Sequence, residues 1–379
     1  MNVSLTFKLA SRNLFHDRIR FVATIVGIVF SIVLVNVQMG LYLGFGRMVT
    51  TMVDHATADL WIVPAGTKSF EDPSQLDERL RFRALSIDGV ASASPVVIGF
   101  AEWRLPAGGT TPVFIVGSEI RTASLSPWDV VEGNVSALSI PSAVAVDRSY
   151  FDRLGVSKLD DRAEIRQQKV QVVAITRGVR SFTTTPYVFT ALDRARAFTG
   201  MPADKAAYFL VQVKPGANIE TVRRGLTASL RDVEVLTTTE FRNRSRDFWL
   251  FDTGAGAALF AGALLGMIVG TVIVAQTLYS STKEHLPEFA TLRAIGASGT
   301  YLYKVIIWQA LLSAVIGFGL AASIGYVVVY ATAESALPIM MTPGLTAILF
   351  SLTVVMCVVS AIAAIVKVMR IDPATVFSR

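Results

Sequence analysis

KEHLPEFATLRAIGA, residues 283–297, is a charged island between two long uncharged runs. It reads as one short amphipathic helix with both ends marked. Pro287 suits the first helical position, where a missing N–H costs nothing. Glu288 puts negative charge in the first turn and Arg293 puts positive charge in the last, as the helix dipole favours. Gly296 can take the left-handed conformation that ends a helix. Phe289, Leu292 and Ile295 recur at three-residue spacing and give a narrow apolar stripe. A helix of about nine residues is only about 13 Å long, too short to cross a bilayer. Periodicity leaves two readings open: a helical loop resting on the lipid surface, or a plug gripped by another protein.

The flanks decide the class. No charged residue occurs between Arg20 and Arg47, Asp252 and Lys283, Lys304 and Glu334, or Glu334 and Lys367. Each run exceeds the roughly 20 apolar residues that a bilayer core requires. Four transmembrane helices are therefore expected, at about 21–45, 250–282, 304–332 and 343–367. A hydrophobic share of 52% fits a membrane protein with a large water-exposed part.

Lys and Arg in the short flanks set the orientation. Lys8, Arg12, Arg18 and Arg20 precede the first run; Lys283, Arg293 and Lys304 surround the opening stretch; Lys367, Arg370 and Arg379 end the chain. The connection at 333–342 has neither Lys nor Arg. Both termini and the amphipathic helix should thus be cytoplasmic, with the long segment between the first two spans on the other side. The net charge of +6 needs no nucleic acid to explain it, since much of it serves topology. The first apolar run is too long, and starts too late, for a cleavable signal peptide. Leu5, Leu9, Phe15 and Ile19 among basic residues suggest an interfacial helix before it. The single cysteine, Cys357, falls in the fourth run and excludes an intrachain disulfide.

Within the spans, Gly40-x-x-x-Gly44 and the run Gly262, Gly266, Gly270 place small residues four apart. Such faces let helix backbones approach closely in lipid. The second face is expected to pack on a first span, within the chain or across a dimer. Thr237-x-x-Glu240 reads as a capping box opening a helix from about 238 to 281, roughly 65 Å long, whose outer part would form a stalk. Arg242, Arg244 and Arg246 on it read as solvated or snorkelling side chains.

The segment between the first two spans reads as mixed α and β. Strands are expected at 59–63, 96–101, 113–117, 143–147, 170–176, 208–213 and 233–236, and helices near 75–86 and 218–231. Its two ends would build a βαβ-type unit, with a strand-rich lobe at about 118–203 inserted between them.

Several chemistries are missing from the sequence. There is no G-x-x-x-x-G-K-[ST] loop for a nucleotide and no G-x-S-x-G elbow. The three histidines, His16, His55 and His285, are too scattered for a His-based metal site, and no catalytic or metal-ligating set emerges. Met48, Met52 and His55 share one helical face that could hold haem or a soft metal, although Met at helical spacing is usually packing. Carboxylates are almost excluded from the spans, which argues against a proton-coupled relay. Asn36, Gln38, Gln276 and Gln309 read as interhelical hydrogen-bonders.

One span, a large exterior domain and three further spans, with E-F-A-T-L-R-A-I-G-A between the second and third, closely resembles the MacB/FtsX-type ABC transporter permeases. The tail Arg370-Ile-Asp-Pro-Ala is similar to the ending common in that family, and ADLWIVPAG at 58–66 resembles the DevC branch, which lacks a fused ATPase. The resemblance implies an α-helical membrane protein with a MacB-like periplasmic domain between its first two spans. The expected division is an interfacial helix at 1–20, first span and stalk at 21–58, and exterior α/β domain at 59–237. Stalk and second span follow at 238–282, the coupling loop at 283–303, and the third span at 304–332. An outer loop at 333–342, the fourth span at 343–367 and a cytoplasmic tail at 368–379 complete it.

The resemblance further implies a non-catalytic subunit in the bacterial inner membrane, working as a homodimer with two copies of a separate ABC ATPase. ATP and Mg would be bound by that partner, leaving this chain without a cofactor. The stretch at 287–295 would dock on the ATPase and relay its motion outward, a mechanotransmission. A periplasmic adaptor and an outer-membrane duct would complete an export machine. An FtsX-like subunit that regulates a cell-wall hydrolase, or a haem exporter permease using the His55 face, are the alternatives.

Overall fold

The computed structural model describes residues 3–16, 18–72, 74–122, 124–284, 299–333, 335 and 338–369. Helices α1 (Val3–His16) and α2 (Arg18–Asp54) lead into β1 (Leu60–Pro64), β2 (Leu76–Asp77) and α3 (Arg79–Leu85). Then come β3 (Val90–Arg104), β4 (Thr110–Ser118), β5 (Val130–Gly133), β6 (Ala143–Asp147) and α4 (Phe151–Leu154). After β7 (Arg162–Ile165), β8 (Gln168–Thr176) and β9 (Tyr187–Ala191) follow α5 (Leu192–Thr199), β10 (Lys205–Ala206) and β11 (Tyr208–Val213). The chain continues through α6 (Ile219–Ser229), β12 (Val233–Thr237) and α7 (Thr238–Asp247). It ends with α8 (Ala255–Glu284), α9 (Gly299–Thr332) and α10 (Pro343–Met369). Two units result: a membrane unit of residues 1–43, 257–333 and 338–379, and an α/β domain of residues 44–256 with 334–337.

In the membrane unit the four uncharged runs become four helices long and apolar enough to cross a bilayer. Their buried residues form a main cluster around Ile28 and Ile32 of α2, Val274 of α8, Ala310 and Ala314 of α9, and Cys357 and Ala361 of α10, and a smaller one of Val35, Ala263, Leu345 and Leu349. In the main cluster alanines interleave with large aliphatic side chains; lipid offers no hydrophobic drive, so association rests on such close packing. The first helix, α1, places Phe7 edge-on against Trp308 of α9, with ring centroids 5.6 Å apart.

The α/β domain is organised by one large sheet in the order β12-β1-β11-β3-β4-β9-β6-β8-β5, with β7 pairing β3 and β8. β1 lies antiparallel to both β12 and β11, and β11 antiparallel to β3. Hence β1-α3-β3 and β11-α6-β12 are two βαβ units, each skipping one strand, interleaved as a split βαβ pair. This is the unit expected from the two ends of the segment. Along β1 the side chains alternate: Leu60 and Ile62 join a cluster with Val222 and Leu226 of α6. Trp61 and Val63 join the opposite cluster with Tyr208 and Phe241. Both faces are covered, so the strand reads as an unbroken apolar run, as period-two alternation between two cores requires.

The inserted lobe does not stand apart from this base. Strand β3 is 15 residues long. Its first half pairs with β11 from Val90 to Val96, and its second half pairs with β4 from Val96 to Arg104. The sheet therefore runs through β3 into the lobe, and the expected boundary at 118 falls at the end of β4. Strands β5, β7 and β9 and helix α5 were not expected from the sequence.

The expected single helix from 238 to 281 is interrupted. The capping box forms: Glu240 N–H donates to Thr237 Oγ1 at 3.1 Å, and Thr237 N–H donates to Glu240 Oε2 at 2.8 Å. Helix α7 then stops at Asp247, a π-turn occupies Phe248–Asp252, and Gly254 takes φ +76° before α8 starts. That left-handed step is open to glycine without strain, and it separates the two helices.

Candidate functional site

Pro287, Glu288, Phe289, Leu292, Arg293, Ile295 and Gly296 lie outside the described residues. Just before them, Glu284 at the end of α8 forms an ion pair with Arg20 near the start of α2. The basic N-terminal segment and the approach to residues 283–297 therefore share one end of the membrane unit.

The glycines of α8 face α2 of the same chain. A Cβ on Gly262 would lie 2.7 Å from Gln38 Nε2, one on Gly266 3.1 Å from Leu34 Cδ2, and one on Gly270 2.2 Å from Ser31 Oγ. The contact is reciprocal, since a Cβ on Gly27 would lie 2.4 Å from Ile273 Cγ2. As numbers rise along α8 they fall along α2, so the seam is antiparallel. Helix α9 uses the same device from another side, with Gly317 against Ile28 and Gly325 against Asn36. Ser360 of α10 donates to the Thr271 carbonyl at 2.9 Å, adding a polar tie to α8. Gly40 receives no helix: Met340 N–H donates to its carbonyl at 3.2 Å, so it seats the connection between α9 and α10. Gly44 is buried. Of the polar span residues, Asn36 and Gln309 are buried while Gln276 is exposed.

Met48, Met52 and His55 do not assemble a ligand face. Met48 packs in a small cluster with Val49 and Phe182. Met52 is fully buried in the main core of the α/β domain. The His55 ring stacks on Trp128 at 3.9 Å and nearly parallel, and its Nδ1 lies 2.8 Å from the Thr51 carbonyl. Among the described residues no three His, Cys, Asp or Glu side chains gather as a metal site would need.

The arginines of α7 keep solvent exposure, as expected, and each also has an acidic partner. Arg242 binds Asp54 at the end of α2. Arg244 Nη1 donates to Glu234 Oε2 at 2.6 Å and to the Thr67 carbonyl at 3.3 Å. Arg246 sits beside Asp247 at 3.4 Å.

Sequence reasoning passed over Glu71. Its Oε2 is closed off from solvent without a hydrogen bond, and burial pushes its carboxyl up from 4.5 to about 7. Only the acidic, proline-bearing loop around it was visible in the sequence, and such loops are ordinarily solvated.

Two families match the sequence. The MacB-like periplasmic core domain matches residues 21–229, and the FtsX-like permease C-terminal region matches residues 260–373. No curated protein matches the chain. Among solved structures, the periplasmic region of MacB from Actinobacillus actinomycetemcomitans aligns with 50% of this chain and 94% of its own, at 9% identity and a TM-score of 0.40. The extracellular domain of the noncanonic ABC-type transporter YknZ from Gram-positive bacteria aligns with 48% of this chain and 99% of its own, at 13% identity and a TM-score of 0.34. A permease domain from Porphyromonas gingivalis aligns with 47% and 88%, at 13% identity and a TM-score of 0.34. The first family match takes in more than half of the chain, and the second runs over most of α8 and through α9 and α10. The chain therefore belongs to the MacB/FtsX-like permeases, with a MacB-like periplasmic core domain following its first span and an FtsX-like permease region at its C-terminal end.

Proposed function

We propose that this chain is the permease subunit of an ABC-type export complex in the bacterial cytoplasmic membrane, of the DevC kind without a fused ATPase. It acts as a homodimer with two copies of a separate ATPase, which binds ATP and Mg. Motion of that ATPase enters through residues 287–295 and ends in expulsion of substrate on the far side, through a periplasmic adaptor and an outer-membrane duct. One observation carries the reading. The FtsX-like match at 260–373 encloses the amphipathic island 283–297, the charged stretch between the second and third spans. Spans almost free of carboxylates support it further, because a route for polar cargo through the membrane helices would need ionisable or strongly polar groups. Since α8's glycine face is occupied by α2 of the same chain, the homodimer is proposed to use other surfaces.

The test is capture of the tagged chain from native membranes, with bound proteins identified by mass spectrometry. The expected companions are an ABC ATPase and an adaptor, and the chain freed of them should neither bind nor hydrolyse ATP. A peptidoglycan hydrolase in place of the adaptor would overturn export in favour of a signalling role. ATP hydrolysis by the chain alone would overturn the division of labour.

A further inference from the structure

Residues 66–72 form a loop of the α/β domain that is pinned from several sides. Gly66 N–H donates to Glu234 Oε1 at 2.8 Å, and the Thr67 carbonyl accepts from Arg244. The Tyr208 hydroxyl lies 3.3, 3.0 and 2.7 Å from the carbonyls of Ser69, Phe70 and Asp72. Phe70 is fully buried between Trp61 and Tyr208. From this fixed base the loop reaches the π-turn Phe248–Asp252 at two neighbouring residues. Lys68 Nζ stands 5.4 Å over the Phe248 ring, and Glu71 lies beside Trp249.

The Glu71 contact is unusual chemically. Its Oε1 accepts from the Tyr187 hydroxyl at 3.2 Å. Its Oε2 and the Trp249 Nε1–H are both closed off from solvent, and the indole N–H is one of the donors that act on the carboxyl. The Trp249 ring is held on its other side by Phe182, with centroids 4.6 Å apart, and Phe182 in turn meets Phe45 of α2 at 5.3 Å. π-helical turns recur at functional sites, and Gly254 follows this one at φ +76°.

We propose that Glu71 is a proton-sensitive latch, which holds the 66–72 loop on the π-turn while neutral and releases it when ionised. Once ionised, this half-buried carboxylate would hold Oε2 away from solvent without a cation to meet it. Burial is the largest influence on Glu71, opposed by its own backbone and by the Tyr187, Trp249 and Ser69 donors, with no Lys or Arg among these groups. The titratable groups that act with it are Tyr187 on β9 and Tyr208 on β11, with Asp72 on its own loop beside Tyr208 and Tyr150 beyond Tyr187. Lys68 is engaged with Phe248, Arg244 with Glu234, and Arg246 with Asp247. Tyr187 and Tyr208 are both held well above the usual phenol range, first by burial and then by Glu71, so neither ionises in the relevant range.

The sign follows from linkage. A carboxyl raised from 4.5 to about 7 in the closed arrangement favours that arrangement fully below 4.5. The bias falls as pH climbs from 4.5 and is spent above about 7. Across the whole window the closed-to-open ratio drops by up to roughly 300-fold, of which about tenfold falls between pH 6 and pH 8.

Hydrogen exchange of the full chain in nanodiscs, at pH 6 and pH 8 and corrected for intrinsic exchange, tests the latch. Peptides covering residues 66–72 and 248–254 should lose about tenfold of their protection at pH 8, and Glu71→Gln should keep it. Equal protection at both pH values in the wild type, or the same loss in Glu71→Gln, overturns the proposal. Should Glu71→Gln fail to fold, Tyr187→Phe serves in its place. That change removes a donor that lowers the Glu71 pKa, so the midpoint should rise; an unmoved midpoint also overturns the latch.

Discussion

Gly266 shows how little room the membrane unit leaves at a single residue. A Cβ there already lies 3.1 Å from Leu34 Cδ2 and 3.3 Å from Val35 Cγ2, so three further carbons have nowhere to go. We predict that Gly266→Leu destabilises the folded chain by about 1–3 kcal/mol, the usual cost of overpacking, while leaving membrane insertion intact because the change remains apolar. Thermal unfolding of the purified protein, set against its yield in the membrane fraction, checks both halves. The four-residue spacing of these glycines pointed to a close helix contact, because backbone approach needs small residues in register. Which helix would fill the contact was not legible, since Leu34, Val35 and Gln38 carry no mark that sets them apart from other span residues. Glu71 was illegible for a different reason. Its burial comes from Tyr187 and Trp249, which lie 116 and 178 positions further along the chain, and no local pattern announces so distant a lid.

Among the elements, α7 is the one whose start was most clearly written. Thr237 and Glu240 close the capping box, and the Thr237 backbone N–H is the main reason the Glu240 carboxyl is held below the usual carboxylate range. Replacing Thr237 by Ala should cost about 1 kcal/mol, typical for a lost N-cap. It should appear as faster exchange of the first α7 amides above pH 5. Because the Glu240 pKa is depressed, its share of the cap is present above the ordinary carboxylate range and fades on acidification. Alanine keeps the backbone N–H that Glu240 accepts from, so this share should fade on acidification in wild type and Thr237→Ala alike. The end of α7 was misread: Phe248, Trp249, Leu250 and Phe251 extend the apolar character up to α8 and hide the break, which the paired Gly254 and Gly256 alone signalled. The unexpected strands share a different cause. The β5 sequence VVEG and the β7 sequence RAEI are short and charged, and they pair only because β8 and β3 present open edges to them. The β9 sequence YVFTA is apolar enough, but a Thr-rich approach and Pro186 obscured its start.

For the molecule as a whole, charge-free runs longer than a bilayer core gave the membrane helices away, and short apolar runs in β1, β6 and β11 marked the strands that the sheet is built on. Its continuity through β3 was not legible, because Ser92 and Ser94 blur the alternation where β3 leaves β11 for β4. We propose that residues 283–297 are gripped by a separate ATPase and do not merely rest on the lipid surface. Leu292 lies in the middle of the apolar stripe formed with Phe289 and Ile295. Truncating an interface anchor commonly costs on the order of 2 kcal/mol, more than tenfold in affinity, and an aspartate would add an unpaired buried carboxylate. The helix itself would survive, since Asp costs only a few tenths of a kcal/mol more than Leu in propensity. The decisive measurement is therefore the amount of ATPase subunit co-purifying with Leu292→Asp relative to the wild-type chain from the same membranes. The variant should insert normally but lose about nine-tenths of the bound ATPase, in line with a binding loss beyond about tenfold; wild-type levels of ATPase on Leu292→Asp would leave only the surface-helix reading.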